Sequence, residues 1–280
     1  MTFTQKLKAS VTATKSAVCV GLDPNLDLLP QAVLRQDLSE AEKVEHFLKK
    51  VIDVTQTHCA AYKPNLGFFE ALGADGWDTF QAILDYIPDD KIIIADAKRG
   101  DISSTAEHYA KAFFEHFDAD AVTLNPLMGF ETLDPFLKDD SKCIYVLTLT
   151  SNPGAEDILL QKLENGDTIS SYVSTCLQEK QKASKTSIGM VVGATQAKDI
   201  QPVINNFKNA HLLIPGIGKQ GGDIQALAEA LEEHRGIPLI NSSRSIIYAG
   251  RNSENWSEEV GKASLNLKKK LSAITQRYVQ

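Results

Sequence analysis

The 280-residue chain has no apolar stretch long enough to cross a bilayer, and its first 23 residues contain no apolar run of signal-peptide length. Positive charge is not in excess either, since 29 lysines and arginines stand against 36 acidic residues, for a net charge of −7. These absences argue against a membrane-bound protein and against a general nucleic-acid-binding surface. An anionic small-molecule substrate would need a local basic site.

Cysteine is also scarce, and no CxxC pair or Cys/His ligand spacing is present. The four cysteines are far apart in the sequence: Cys19, Cys59, Cys143 and Cys176. We interpret them as small core residues in a reducing compartment, which predicts a cytoplasmic protein. No linker, low-complexity tract or composition shift marks a boundary, so we predict one domain over residues 1–280.

Eight apolar runs of strand length alternate with amphipathic segments along the chain. The predicted strands are 17–23, 59–65, 91–98, 121–125, 143–150, 187–194, 211–218 and 237–244. The predicted helices are 40–57, 75–87, 103–117, 131–138, 156–183, 196–208, 222–234 and 254–277. Eightfold strand–helix alternation favours an α/β fold of the (β/α)₈ TIM-barrel type, with an open doubly wound sheet as the alternative.

Charged residues cluster where the first three predicted strands end, which is where such barrels build their active sites. They are Asp23, Lys63, Asp96 and Lys98, with Asp101 just beyond. Their signs alternate, so each charge favours ionisation of its neighbours. The row is compatible with a structural ion network, but a catalytic array explains better why so many charges follow core strands. Acids mixed with lysines do not form an evident metal site.

The segment DAKRGDI (96–102) carries the sharpest chemical signal. Asp96 and Lys98 are two apart on a predicted strand and are expected on one face, while Asp101 lies in the following turn. A lysine between two acids stays protonated. The segment therefore predicts a proton donor and not a nucleophilic amine.

A phosphate site is predicted after strands 7 and 8, where barrels often bind phosphate. The loop PGIGKQGGD (215–223) is rich in glycine and contains Gln220, and Arg244 ends the predicted eighth strand. Glycine permits close backbone approach, and arginine grips phosphate with paired hydrogen bonds. The loop alone would equally suit an ordinary turn, and its coincidence with Arg244 favours the phosphate interpretation.

The segment after strand 5, Thr148–Pro153, offers hydroxyl and amide groups that could read a polar ring, with Ser151 as the candidate. On its residues alone, a plain turn explains the segment equally well.

Together these motifs resemble orotidine 5′-phosphate decarboxylase. DAKRGDI matches the family signature D-x-K-x-x-D-I, and GLDPN (21–25), YKPN (62–65) and PGIG (215–218) match other landmarks in order. The resemblance spans about residues 17–250. It is greatest to the longer bacterial subgroup, in which an arginine follows the lysine, as Arg99 does here.

The resemblance implies a cofactor-independent, metal-independent decarboxylation of orotidine 5′-monophosphate to UMP, the last step of de novo pyrimidine synthesis. Lys98 would protonate C6, Asp96 would face the departing carboxylate, and Lys63 would hold the charge network. Asp23 and Lys63 would also bind ribose hydroxyls. In an implied homodimer, Asp101 and Thr105 would reach into the partner's site.

The same resemblance assigns the remaining substrate contacts. Gln220 and Arg244 would hold the phosphate, and Ser151 would read the pyrimidine edge. Two alternatives remain open: a Mg²⁺-dependent sugar-phosphate enzyme of the same barrel suprafamily, and a non-catalytic phosphate-binding barrel. Lys63 and the full signature argue against the first, and Lys98 between two acids argues against the second.

Overall fold

The computed structural model describes residues 1–193, 197–216 and 224–279. Its eight strands form a closed barrel in the order β1 to β8, and every strand pair with a described register is parallel. The strands are β1 Val18–Leu22, β2 Ala61–Pro64, β3 Ile92–Arg99, β4 Ala121–Leu124, β5 Cys143–Leu149, β6 Ser187–Val192, β7 Leu212–Ile214 and β8 Pro238–Ser242. The predicted (β/α)₈ fold is confirmed.

Twelve α-helical segments lie in the described part of the chain. They are α1 Phe3–Thr14, α2 Gln31–Leu34, α3 Glu40–Thr55, α4 Leu66–Glu70, α5 Ala74–Tyr86, α6 Ser103–Lys111, α7 Ile169–Gln181, α8 Ala197–Asn206, α9 Ile224–Ala230, α10 Arg244–Ile247, α11 Trp256–Lys270 and α12 Ser272–Gln276. None of them combines the length and apolar character that a bilayer crossing requires. Shorter 3₁₀ turns cover Leu26–Leu28, Phe130–Phe136 and Pro153–Asp157, and a π-helical segment, Ala112–His116, follows α6.

The strands are buried on both faces, as their near-continuous apolar sequences predict. Every residue of β1, β2, β4 and β8 is buried. Cys19, Cys59 and Cys143 are fully buried free thiols, and Cys176 is free and half-buried. The predicted core role of the cysteines therefore holds for three of the four.

The chain divides into two compact units. The first comprises Met1–Lys6 and Lys98–Ile240, and its core includes the pairing of β4 through β7. The second comprises Leu7–Ala97 and Asn241–Gln280. The assignment of residues 1–280 to one domain stays a prediction.

In the second unit, α3 shows how sequence pattern becomes packing. Ser39 and Glu42 form a reciprocal capping box that satisfies two backbone N–H groups at the helix start. The apolar face that follows, including Phe47 and Leu48, is fully buried. Each such side chain contributes about 1.5–3 kcal/mol of transfer free energy on burial.

The helix predicted over 156–183 is wrong in its first half. Residues 161–168 form a turn in which Leu163 N–H donates to the Asp167 carbonyl and Lys162 bridges to Thr168, and α7 begins only at Ile169. The reason is Asn165-Gly166, a turn-forming pair in which Gly166 adopts a φ of 87°. The Thr168 side chain then caps α7 by accepting a hydrogen bond from the Ser171 N–H.

Candidate active site

A buried ion pair joins the ends of β2 and β3. Lys63 is 5% exposed, Asp96 is 7% exposed, and the Lys63 Nζ donates a hydrogen bond to Asp96 Oδ2. An isolated parallel bridge from Asn65 to Asp96 aligns the two strand ends. Removing two charges from water costs several kcal/mol per ion, so the pair persists only because each charge meets its partner in good geometry.

Asp23 extends this charge cluster from β1. The register places Gly21 beside Lys63, two residues before Asp23. Burial lowers the pKa of the Lys63 ammonium, but the negative charges of Asp96 and Asp23 more than offset burial, so this pKa is raised above its ordinary value. Lys63 is therefore a permanent cation at neutral pH. Sequence analysis placed Asp23, Lys63 and Asp96 in one row, and the structure brings Lys63 into contact with Asp96.

Lys98 has an exposed side chain and an unusual backbone. Its φ of 47° lies in the left-handed region, which costs a non-glycine residue energy and is found preferentially at functional sites. The backbone N–H of Lys98 donates to the Thr123 Oγ1 at 2.9 Å. Thr123 lies on β4 and is 1% exposed. The simple strand alternation that predicted the direction of Lys98 thus ends at this residue, and a buried hydroxyl fixes its backbone.

Asp101 and Thr105 follow in the turn and in the first turn of α6. Asp101 is half-buried, and its Oδ1 accepts a hydrogen bond from the Ile102 N–H at 2.8 Å. Thr105 is exposed. The β3 loop lies against the β4 loop, because the Asn125 N–H donates to the Arg99 carbonyl at 2.7 Å. The acid and the hydroxyl are thus carried by a tethered loop.

Ser151 is half-buried and lies two residues after the end of β5. Its backbone packs so closely on Gly193 that a Cβ there would lie 2.6 Å from the Ser151 nitrogen. Glycine at 193 is therefore required for the present path of the Ser151 loop.

The predicted phosphate site is described only in part. Arg244 is exposed and begins α10, because β8 ends two residues earlier, at Ser242. Pro215 and Gly216 follow β7, and Gly216 has a φ of 98°. Gln220 lies outside the described residues. Since β7 covers only Leu212–Ile214, the predicted strand 211–218 is too long, and the Pro-Gly pair ends it.

Several polar residues near Asp23 were missed by sequence reasoning. Three buried polar atoms, Asp23 Oδ1, Asn241 Oδ1 and Ser243 Oγ, have no hydrogen-bond partner among the described residues. A Cβ on Gly21 would lie within 3.3 Å of both Asn241 Oδ1 and Ser243 Oγ. The Tyr248 hydroxyl, in addition, bonds to the turn that carries Asp23. An asparagine inside an apolar strand was the available signal for Asn241, whereas Tyr248 had none.

Within residues 1–193, 197–216 and 224–279, no group of three or more His, Cys, Asp or Glu side chains is placed to hold a metal ion. The cluster of Asp23, Lys63 and Asp96 offers an ammonium group, carboxylates and a buried acceptor without a partner in those ranges. Chemically, such a set binds hydroxyl groups, stabilises developing negative charge and transfers protons.

Comparison with known proteins gives a consistent result. Residues 16–258 match the model of the family described as orotidine 5′-phosphate decarboxylase / HUMPS. The orotidine 5′-phosphate decarboxylase of Herpetosiphon aurantiacus is 40% identical over 247 residues, which cover 88% of this chain and 90% of that protein. The protein of the same name from Phocaeicola vulgatus is 37% identical over 274 residues, covering 96% and 98%.

A solved structure agrees in fold. The OMP decarboxylase of Leishmania donovani is 29% identical, with a TM-score of 0.81 and coverage of 99% of each chain. The matched range of the family model contains every site residue predicted above, from Asp23 to Arg244. With a closed parallel barrel, a buried Lys63–Asp96 pair and that match, the chain belongs to the orotidine 5′-phosphate decarboxylase / HUMPS family.

Proposed function

We propose that this protein decarboxylates orotidine 5′-monophosphate to UMP without a cofactor. The observation that carries the proposal is the buried Lys63–Asp96 pair, followed two residues later by Lys98 within the full D-x-K-x-x-D-I signature. Relatives that bear the decarboxylase name match almost the whole chain. A cytoplasmic setting is part of the proposal, and the free cysteines support it.

The chemistry requires positive charge where negative charge develops. The bond from C6 to the carboxylate breaks, CO₂ leaves, and the electron pair remains on C6, where no electron sink delocalises it. We assign Lys98 Nζ to stabilise that carbanion and then to donate the proton that forms the new C6–H bond. The neutral amine then regains a proton from water. An exposed lysine next to the last residue of a core strand suits this role.

Asp96 and Lys63 prepare the site for that step. Asp96 is assigned to face the substrate carboxylate, and the raised pKa of Lys63 keeps a cation beside it throughout turnover. Asp23 and Lys63 are assigned to ribose hydroxyls, a role that suits the buried Asp23 Oδ1, which has no partner in the described ranges. Buried acceptors without partners are costly unless a ligand satisfies them.

The other substrate contacts are assigned by position. Arg244 and Gln220 would hold the phosphate, and Ser151 would read the pyrimidine edge. Phosphate binding remote from C6 contributes to catalysis because its binding energy helps to form the reactive arrangement. The exposed guanidinium of Arg244, at the start of α10, supports the phosphate assignment.

The active form is proposed to be a homodimer in which Asp101 and Thr105 complete the partner's site. Three apolar side chains on the adjoining β3 and β4 loops support this: Ile102 is 51% exposed, Leu127 is 74% exposed and Met128 is 52% exposed. The Asn125–Arg99 hydrogen bond holds the two loops together, and exposed apolar side chains on neighbouring loops are typical of association surfaces. Asp101 directly precedes Ile102, which would place its carboxylate at the rim of that surface.

A complementation experiment tests the shared site. Lys98→Ala and Asp101→Ala homodimers should each be nearly inactive, whereas subunits mixed and re-annealed should regain up to about a quarter of wild-type activity, because half of the dimers carry one intact site. Absence of any recovery, with mixed dimers verified by mass spectrometry, would contradict sharing of Asp101 across the interface.

The direct test of function follows the loss of orotate absorbance with orotidine 5′-monophosphate as substrate. Lys98→Ala should abolish most turnover while the fold is retained. Lys15→Ala is a matched control, since Lys15 is also exposed and also has a left-handed φ, of 48°. Turnover that survives in the Lys98 variant would refute the mechanism, whereas a wild-type protein that binds phosphate without consuming orotidine 5′-monophosphate would favour a non-catalytic phosphate-binding barrel. Turnover abolished by excess EDTA would favour the metal-dependent sugar-phosphate alternative.

A further inference from the structure

The Tyr248 hydroxyl holds both ends of the turn that carries Asp23. It donates a hydrogen bond to the Asp23 carbonyl at 2.7 Å and accepts one from the Asn25 N–H at 2.6 Å. Asn25 in turn caps the 3₁₀ turn Leu26–Leu28, because its side chain accepts a hydrogen bond from the Asp27 N–H at 3.0 Å. One phenol thus spans the chain segment between β1 and the next helical turn.

Packing fixes the Tyr248 ring as firmly as its hydroxyl. Tyr248 is 8% exposed, and its ring stacks on Phe47 with centroids 5.7 Å apart and planes 8° from parallel. Phe47 in turn lies against Trp256, with centroids 5.3 Å apart. Burial raises the pKa of Tyr248 to about 12, so its hydroxyl carries a proton to donate at neutral pH. Packing therefore holds the ring in place, and the ring in turn holds the hydroxyl against the Asp23 turn.

The held turn carries a group that chemistry needs to place accurately. Asp23 has a buried Oδ1 with no hydrogen-bond partner in the described ranges, so no hydrogen bond there orients that oxygen. The position of the carboxylate then depends on the backbone, which Tyr248 fixes at the carbonyl of Asp23 itself. Tyr248 also directly follows α10, which begins at Arg244.

We infer that Tyr248 is a positioning residue for decarboxylation, acting through its hydroxyl on the Asp23 turn and linking that turn to the helix of Arg244. The inference rests on the proposed function, in which Asp23 binds ribose. Hydrogen bonds that set a substrate-binding carboxylate affect rate strongly, since a 1 Å misplacement costs on the order of a hundredfold.

The test is a double-mutant cycle on kcat/KM with orotidine 5′-monophosphate. Tyr248→Phe removes the hydroxyl and keeps the ring stacked on Phe47, and should lower kcat/KM by roughly tenfold to a hundredfold. In an Asp23→Ala background the same change should cost less than about twofold, because the group being positioned is gone. Tyr278→Phe, at another tyrosine of 8% exposure, is the control and should leave kcat/KM unchanged.

The outcomes separate this inference from the proposed function. A wild-type protein that does not consume orotidine 5′-monophosphate refutes the function. An active wild type with equal losses from Tyr248→Phe in both backgrounds, or with no loss, refutes the positioning role alone. If Tyr248→Phe does not yield folded protein, Phe47→Leu removes the stacking face and keeps the hydroxyl, and its kcat/KM loss must likewise shrink in the Asp23→Ala background.

Discussion

Replacing Lys63 with methionine removes one charge of the buried pair and keeps most of the side-chain length. Lys63 and Asp96 are 5% and 7% exposed, so the Asp96 carboxylate would stay in a poorly solvated position without the ammonium. Breaking a buried pair in this way destabilises a protein by about 3–5 kcal/mol. We expect a loss of that size in the free energy of unfolding, together with loss of decarboxylation.

Urea titration, or thermal melting where unfolding is irreversible, measures the loss. For a chain of this size 1 kcal/mol shifts the melting temperature by about 2–4 °C, so a decrease of roughly 6–20 °C is expected. In the wild type, the pKa of Lys63 in the folded state is raised above its ordinary value of 10.5. The stabilisation that its charge gives to the folded state is therefore fully present below pH 10.5, and it is lost only as the pH rises through the folded-state pKa.

Two further variants decide the reasoning. The double variant Lys63→Met/Asp96→Leu should regain most of the lost stability while remaining inactive, because apolar replacement of a whole buried pair is often neutral. Lys49→Met breaks the ion pair with Glu45, in which both side chains are about a third exposed, and should cost less than about 1 kcal/mol. A Lys63→Met protein within 1 kcal/mol of wild type, or a double variant no more stable than the single one, would refute this account of the pair.

Three other predictions follow from single contacts. Thr123→Val removes the hydroxyl that accepts a hydrogen bond from the Lys98 N–H, and it should lower kcat by roughly tenfold with little change in the folded fraction. An unchanged kcat would mean that the left-handed backbone of Lys98 does not depend on this hydrogen bond. Gly193→Ala places a Cβ 2.6 Å from the Ser151 nitrogen and should displace the Ser151 loop, which should raise KM in steady-state kinetics. An unaltered KM would contradict the assignment of Ser151 to substrate binding. Burial lowers the pKa of His211 to about 4, so the stabilisation linked to this residue should be fully present above pH 6.5 and fall by about 3 kcal/mol as the pH drops to 4. Burial lowers the pKa of His234 to about 4 as well, so both residues contribute to the acid limb. His211→Gln should therefore reduce that limb in urea titrations without removing it, and an unchanged limb would show that other groups cause it.

Local sequence pattern was a good guide to the strands and a weaker one to the helices. Strands of a parallel barrel are buried on both faces and therefore appear in the sequence as short apolar runs. All eight strands were predicted from such runs. The helix predicted over 156–183 failed because amphipathic spacing outweighed the Asn165-Gly166 turn signal. Helix α1, Phe3–Thr14, was not predicted at all. Its stability comes from the tertiary packing of its buried residues Phe3, Leu7 and Val11, which the local sequence does not show.

The site divides in the same way. Residues in one contiguous motif, such as Asp96, Lys98 and Asp101, could be named from spacing alone. Tyr248 could not, because it contacts Asp23 across 225 residues of sequence, and no local pattern links a tyrosine four residues after Arg244 to that turn. Thr123 could not be identified for a related reason. A single hydroxyl in an apolar strand is common, and its role becomes clear only when its hydrogen-bond partner, the Lys98 N–H, is known.

The sequence by itself determined the barrel class, the alternating charges at the strand ends and the family signature. Each of these depends only on residues close together in the sequence or on the regular alternation of strand and helix segments. The tertiary structure alone decided that Lys63 and Asp96 form a buried pair, that Lys98 leaves the extended conformation at a φ of 47°, and that Tyr248 holds the Asp23 turn. Those features arise from register and packing between distant segments. Their energies depend on burial and geometry that no local pattern encodes.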